Sequence, residues 1–133
     1  MKAMVLFFSR TGNTKRLAEA ISDFAKAPIF DIAAVQPSVM NDADVVIIGT
    51  PTEGSRPTQE VMAFISRLPK VEGKKTILFC TCRLWVGGTL KTMEKALSDK
   101  GYNTVLSVSK KGMTPEKTAD FSEVLKKIGN ALV

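Results

Sequence analysis

The sequence has no histidine. Without an imidazole there can be no Ser-His-Asp or Cys-His catalytic pair, and nearly all zinc sites are excluded as well. Cysteine is scarce. Cys80 and Cys82 cannot build a disulfide framework and are too few to hold a metal alone. No apolar run approaches the ~18 residues that a membrane span needs. The opening stretch, Met1 to Phe8, carries a charge and then apolar residues, as an export signal does. Its apolar run is short and no small-residue cleavage site follows, so it reads as a buried first strand, with the cytoplasm as the expected compartment. Aromatic side chains are sparse too, and Trp85 is the single tryptophan.

The 133 residues are expected to form one domain over positions 1–133, long enough to bury a sizeable core without staples. The formal net charge is +6. Its cations are scattered (Lys15-Arg16, Lys70, Lys74-Lys75, Lys110-Lys111, Lys126-Lys127) with no long basic run or basic-aromatic patch, which reads as a solvated surface rather than a nucleic-acid interface. A basic balance of this kind suits a partner with an acidic surface.

Apolar β-type runs alternate with helical periodicity along the whole chain. Strands are expected at Met4 to Phe8, Pro28 to Ile32, Val45 to Ile48, Thr76 to Cys80 and Thr104 to Val108. Between them, Leu17, Ala20, Ile21 and Phe24 recur at helical spacing. So do Val61, Phe64, Ile65 and Leu68 after Pro57, and Leu90, Met93, Ala96 and Leu97 before Gly101. Thr114-Pro115 reads as a helix start, with Phe121, Val124, Leu125 and Ile128 as its apolar stripe. Such alternation implies right-handed βαβ units, and strands without period-2 patterning suit a sheet covered on both faces. The expected fold class is α/β: a three-layer, doubly wound, five-stranded parallel sheet. Only about ten residues join the second and third strands, so the second helix is expected to be shortened, with a loop folding over that face.

In such a sheet ligands bind at the carboxyl ends of the strands. After the first strand comes Ser9-Arg10-Thr11-Gly12-Asn13-Thr14, leading into a helix. The helix start offers unpaired N–H groups and a positive dipole end. Gly12 admits close backbone approach, and Ser9, Thr11, Thr14 and Asn13 add donors. This run suits a phosphate dianion. Gly49-Thr50-Pro51-Thr52-Glu53-Gly54-Ser55-Arg56-Pro57 follows the third strand, and Cys80-Thr81-Cys82-Arg83-Leu84-Trp85-Val86-Gly87-Gly88 follows the fourth. Related chemistries lack their residues here. There is no acidic pocket for a receiver domain, no G-x-x-x-x-G-K-[ST] run, and no cysteine in the phosphate loop for a small phosphatase.

Strand, then Ser-x-Thr-Gly-Asn-Thr, then helix resembles the FMN-phosphate loop of the flavodoxin family, and the element order is similar over nearly the whole chain. The resemblance implies strand order 2-1-3-4-5 and FMN as cofactor. The phosphate would be held by Ser9, Arg10, Thr11, Gly12, Asn13 and Thr14. The isoalloxazine would lie between Pro51, Thr52, Glu53 and Gly54 on one side and Cys82, Arg83, Trp85 and Gly87 on the other. It also implies an electron carrier between redox partner proteins, monomeric or weakly dimeric, rather than an enzyme with its own substrate. An FMN activator of a metalloenzyme such as ribonucleotide reductase, and a binding module that has lost FMN, are the alternatives. Two departures from the family pattern stand out. No aromatic residue occupies the first flavin loop near Thr52 or Glu53, which leaves Trp85 to stack on the ring. The chain is also basic where flavodoxins are acidic. Gly54 could reorient its peptide when the ring is reduced, Glu53 would disfavour a negative ring if close to it, and Cys80 and Cys82 read chiefly as small buried hydrophobes.

Overall fold

The computed structural model describes residues 2–112 and 119–133. Five parallel strands form one sheet, built from β1 (Ala3–Phe7), β2 (Ile29–Asp31), β3 (Val45–Glu53), β5 (Lys74–Cys82) and β6 (Tyr102–Lys111). Their spatial order is β2-β1-β3-β5-β6, and the two-residue strand β4 (Arg56–Pro57) pairs antiparallel with the end of β3. In five-strand numbering this is 2-1-3-4-5, as the resemblance implies. The helices are α1 (Asn13–Ala25), α2 (Gln59–Ser66), α3 (Thr89–Ser98) and α4 (Ser122–Leu132).

The central strands explain the layering. Val45 to Ile48 are all buried, and their side chains alternate between two separate apolar clusters. Val46 and Ile48 join Leu6, Phe64, Leu78 and Met93 on one face. Val45 and Ile47 join Leu17, Ile21, Phe79 and Ile128 on the other. A strand apolar at every position thus feeds both faces of a covered sheet. Each fully buried large side chain contributes roughly 1.5–3 kcal/mol.

The shortened second helix takes the form of two 3-10 turns, Ile32–Ala34 and Pro37–Asp42. Ile32 and Met40 are the side chains they bury. Asp31 caps the first turn by accepting the Ala33 N–H at 2.9 Å. Proline at the start of the second suits a tight turn that needs no N–H there.

Three strands run further than the apolar pattern suggests, β6 by extending to Tyr102 and Lys111. β3 continues through Gly49, Thr50 and Pro51 to Glu53, and β5 reaches Cys82. Gly49 lies opposite Phe79 in the ladder, and a Cβ there would sit 2.0 Å from the Phe79 ring. Beyond this point β1 has ended, and the Phe8 N–H donating to Gly49 O is the last link on that side. The missing N–H of Pro51 therefore faces no strand, and a proline is tolerated. The helix start expected at Thr114-Pro115 lies outside the described residues. The apolar stripe expected to follow it falls on α4, with Val124 and Ile128 buried.

Candidate functional site

The run Ser9 to Thr14 joins β1 to α1. Gly12 is the residue before the helix, at φ +94°, and has no side chain with which to cap it. Ser9 does so instead, because its Oγ accepts the N–H groups of Gly12 (3.0 Å) and Lys15 (3.2 Å). A Cβ on Gly12 would meet nothing within 4 Å, so open space lies against the positive end of α1. Thr11 is exposed at the lip of this space. Asn13 Oδ1 accepts the Arg16 guanidinium at 2.8 Å. Thr14 is buried, and its hydroxyl shares a hydrogen bond with Thr81 Oγ1 at 2.8 Å. That bond ties the loop to the end of β5.

Arg10 is directed to a different place. Its Nε and Nη2 donate to the two oxygens of Glu53, and Nη2 also donates to Glu60 Oε1 at 2.8 Å. The guanidinium lies over the Phe8 ring, 5.1 Å from its centroid. The two carboxylates push the Arg10 pKa further up, and Arg10 holds the Glu60 carboxyl below its usual value. The cluster is solvent-exposed, so its role is geometric more than stabilising. It links the phosphate-type loop to the loop after β3 and to α2, and it neutralises Glu53.

After Pro51 and Thr52, both half-buried, the chain forms a tight hairpin, with Thr52 opposite Pro57 and Glu53 opposite Arg56. Gly54 and Ser55 between them have φ of +58° and +64°. Two left-handed residues in a two-residue loop make a type I′ turn, the geometry that matches the twist of a hairpin. Thr58 then caps α2 by accepting the Val61 N–H at 3.2 Å, and its own N–H is held by Thr50 Oγ1.

The loop after β5 packs flush on that hairpin. Gly88 donates its N–H to Ser55 O at 3.0 Å. A Cβ on Gly87 would lie 2.3 Å from the Ser55 Cβ, so only glycine lets the two loops approach this closely. Leu84 and Trp85 project from the loop, 73% and 63% exposed. Arg83 is exposed, and its carbonyl accepts the Gly112 N–H at 3.1 Å. Cys82 lies within β5, 8% exposed, its Sγ 4.0 Å from Lys110 O. Burial pushes the Cys80 thiol up to about 12, despite a hydrogen bond with Thr52, and pushes Cys82 up as well. Both thiols are therefore protonated near neutrality and are poor nucleophiles.

The structure thus brings together all three loops singled out in the sequence. It also buries four hydroxyl residues beneath the loops: Thr50 and Thr81, inside the runs already quoted, and Thr58 and Thr89, just beyond them. Thr89 donates to Val86 O at 2.8 Å and lies 3.3 Å from Thr52 Oγ1. The available signal was a threonine directly before α2 and at the first position of α3. These residues fit a phosphorylated, flat ligand. The open helix start suits a phosphate, and the two loops are braced against each other beside Trp85. Among the described residues no cluster of acids and cysteines could hold a metal, and no helix is long and apolar enough to cross a membrane.

Comparison with known proteins agrees with this geometry. Residues 4–130 match the family model described as a flavodoxin domain. The flavodoxin of Megasphaera elsdenii is 26% identical over 128 residues, covering 90% of this chain and 93% of that protein. Its solution structure in the two-electron reduced state superposes with a TM-score of 0.81 at 23% identity, over 97% of this chain and 96% of that one. The rubredoxin oxygen:oxidoreductase of Desulfovibrio gigas superposes with a TM-score of 0.82 at 19% identity. That match covers 98% of this chain but 34% of the larger protein.

Proposed function

The chain belongs to the flavodoxin family, whose members bind FMN, and from this premise we propose that it is an FMN-dependent electron carrier serving redox partner proteins. The observation that carries this reading is the open helix start at Gly12, set at the carboxyl ends of the strands beside two mutually braced loops. When bound, FMN supplies the electron-transfer chemistry. The protein's part is to hold, orient and tune it.

Ser9, Thr11, Gly12, Asn13 and Thr14 would hold the phosphate, with the α1 dipole contributing. Arg10 does not serve the phosphate directly in this reading. It positions the loop and neutralises Glu53, which lessens that carboxylate's effect on a negatively charged ring. Pro51 to Gly54 would line one side of the ring, and Arg83, Trp85 and Gly87 the other, with the exposed indole of Trp85 as stacking surface. Cys82 would contribute packing only. Gly54 tolerates more than one backbone state. Turning the Gly54–Ser55 peptide would also relieve the positive φ of Ser55, so this turn can answer a change in the ring at little cost.

The test is calorimetry of the apoprotein with FMN, FAD and riboflavin. FMN should bind at least tenfold more tightly than riboflavin, because the phosphate's charge-assisted hydrogen bonds are each worth roughly 1.5–3 kcal/mol. Equal affinity for riboflavin would remove the phosphate loop from the argument. A purified protein that takes up no flavin and shows no yellow absorption would leave a binding module instead.

A further inference from the structure

The corner where β5 and β6 end is not explained by cofactor binding alone. Leu84 and Trp85 stand at its tip with most of their surface in solvent. Lys110 and Lys111 lie opposite Thr81 and Cys82 in the ladder, and the Gly112 N–H bond to Arg83 O draws the two strand ends together. Three cations, Arg83, Lys110 and Lys111, thus flank two exposed apolar side chains. The acids on the other side of the site are already engaged, since Glu53 and Glu60 bind Arg10, and Arg56 faces Glu53 across the hairpin. Asp120 lies within electrostatic reach of Lys110, with its carboxylate accepting the Ser122 N–H at 2.9 Å.

We propose that this corner is the docking face for a redox protein with an acidic surface. The inference rests on the electron-carrier reading and specifies its partner. With FMN on one face of Trp85, Leu84 and the outer face of the indole leave a small apolar centre flanked chiefly by cations, the form of a transient protein contact, and complementary charge chiefly raises the encounter rate. The polarity is opposite to that expected of an acidic flavodoxin. The contact also lies beside Trp85, where an electron would leave the ring by a short path.

The probes are cytochrome c and the same protein with its lysines maleylated, which keeps the haem and makes the surface acidic. One electron passes from the reduced, FMN-loaded carrier to the ferric haem, which becomes ferrous. The rate with the acidic form should fall as salt rises. At low salt, Lys110→Glu with Lys111→Glu should lower it at least tenfold. Lys70→Glu with Lys75→Glu, an equal loss of charge at the opposite end of β5, should change it less than twofold. Amide chemical shifts on adding the acidic cytochrome provide a second readout that needs no flavin, and should concentrate at residues 83–85 and 110–112. Equal losses from both charge reversals, or shifts spread over the surface, would overturn the proposal. So would phosphatidylserine vesicles that bind through Lys110 and Lys111 while the cytochrome is indifferent to them. Shifts at this corner without electron transfer would retain the docking face and discard the carrier. Electron transfer indifferent to Lys110 and Lys111 would do the reverse.

Discussion

Thr11 and Thr14 look equivalent in the sequence, as hydroxyls spaced along one loop. The structure separates them, because Thr11 is exposed and Thr14 is buried against Thr81. Thr11→Ala removes a donor that only a ligand would use. It should weaken FMN at least tenfold and leave thermal stability unchanged. Thr14→Ala also leaves the Thr81 hydroxyl buried without its partner, which costs about 1–3 kcal/mol. It should weaken FMN and lower the unfolding free energy together. Denaturant unfolding of the two apoproteins, beside FMN calorimetry, checks this. Equal stability losses would mean that the Thr14–Thr81 bond is not a strut. Arg10 carries the same lesson about reading single residues. The two carboxylates that bind its guanidinium lie 43 and 50 positions away, beyond any local pattern.

At the scale of elements, periodicity was a good guide wherever burial is symmetric. The runs Met4 to Phe8 and Val45 to Ile48 fall on β1 and β3, because a strand covered on both faces is apolar throughout. The ends were less legible. β3 and β5 extend into the loops because backbone pairing continues where side chains turn polar, and no hydropathy pattern records that. The hairpin at Gly54-Ser55 was hidden for a similar reason, since a single Glu-Gly-Ser-Arg run does not reveal that Ser55 adopts positive φ. The bracing of this hairpin by Gly87 yields a sharp expectation. Gly87→Ala adds a Cβ that collides with Ser55, forcing the two ring-flanking loops apart. FMN and riboflavin should both weaken, by a similar factor of ten or more, since the phosphate loop is untouched. Adding Ser55→Gly removes the two colliding side-chain atoms and should restore part of the loss, although the Ser55 Cα stays 2.9 Å from the new Cβ and alanine at positive φ retains a strain of roughly 1–2 kcal/mol. A loss confined to FMN, or no recovery in the double variant, would contradict the bracing.

For the whole molecule the informative quantity is charge. A net +6 cannot specify a fold, but it sets the field through which ligands approach. Among the described residues at the carboxyl end of the sheet, Arg83 and Lys111 are exposed and make no ion pair, while Arg10 occupies Glu53 and Glu60, so a positive field faces the site there. An FMN dianion should therefore be drawn to its site, whereas riboflavin, with the same ring and no phosphate, should not. The screening length is about 30 Å at 0.01 M salt and about 8 Å at 0.15 M, so the attraction is long-ranged only in dilute buffer. Stopped-flow mixing of apoprotein with each flavin isolates the effect. The FMN association rate should fall severalfold between those salt concentrations, while that of riboflavin stays within a factor of about two. Lys110→Glu with Lys111→Glu should flatten the FMN dependence without altering the dissociation rate, because these lysines act through the field and do not touch the phosphate. An equal salt response for both flavins would place the positive charge elsewhere on the surface, too far from the site to steer the cofactor.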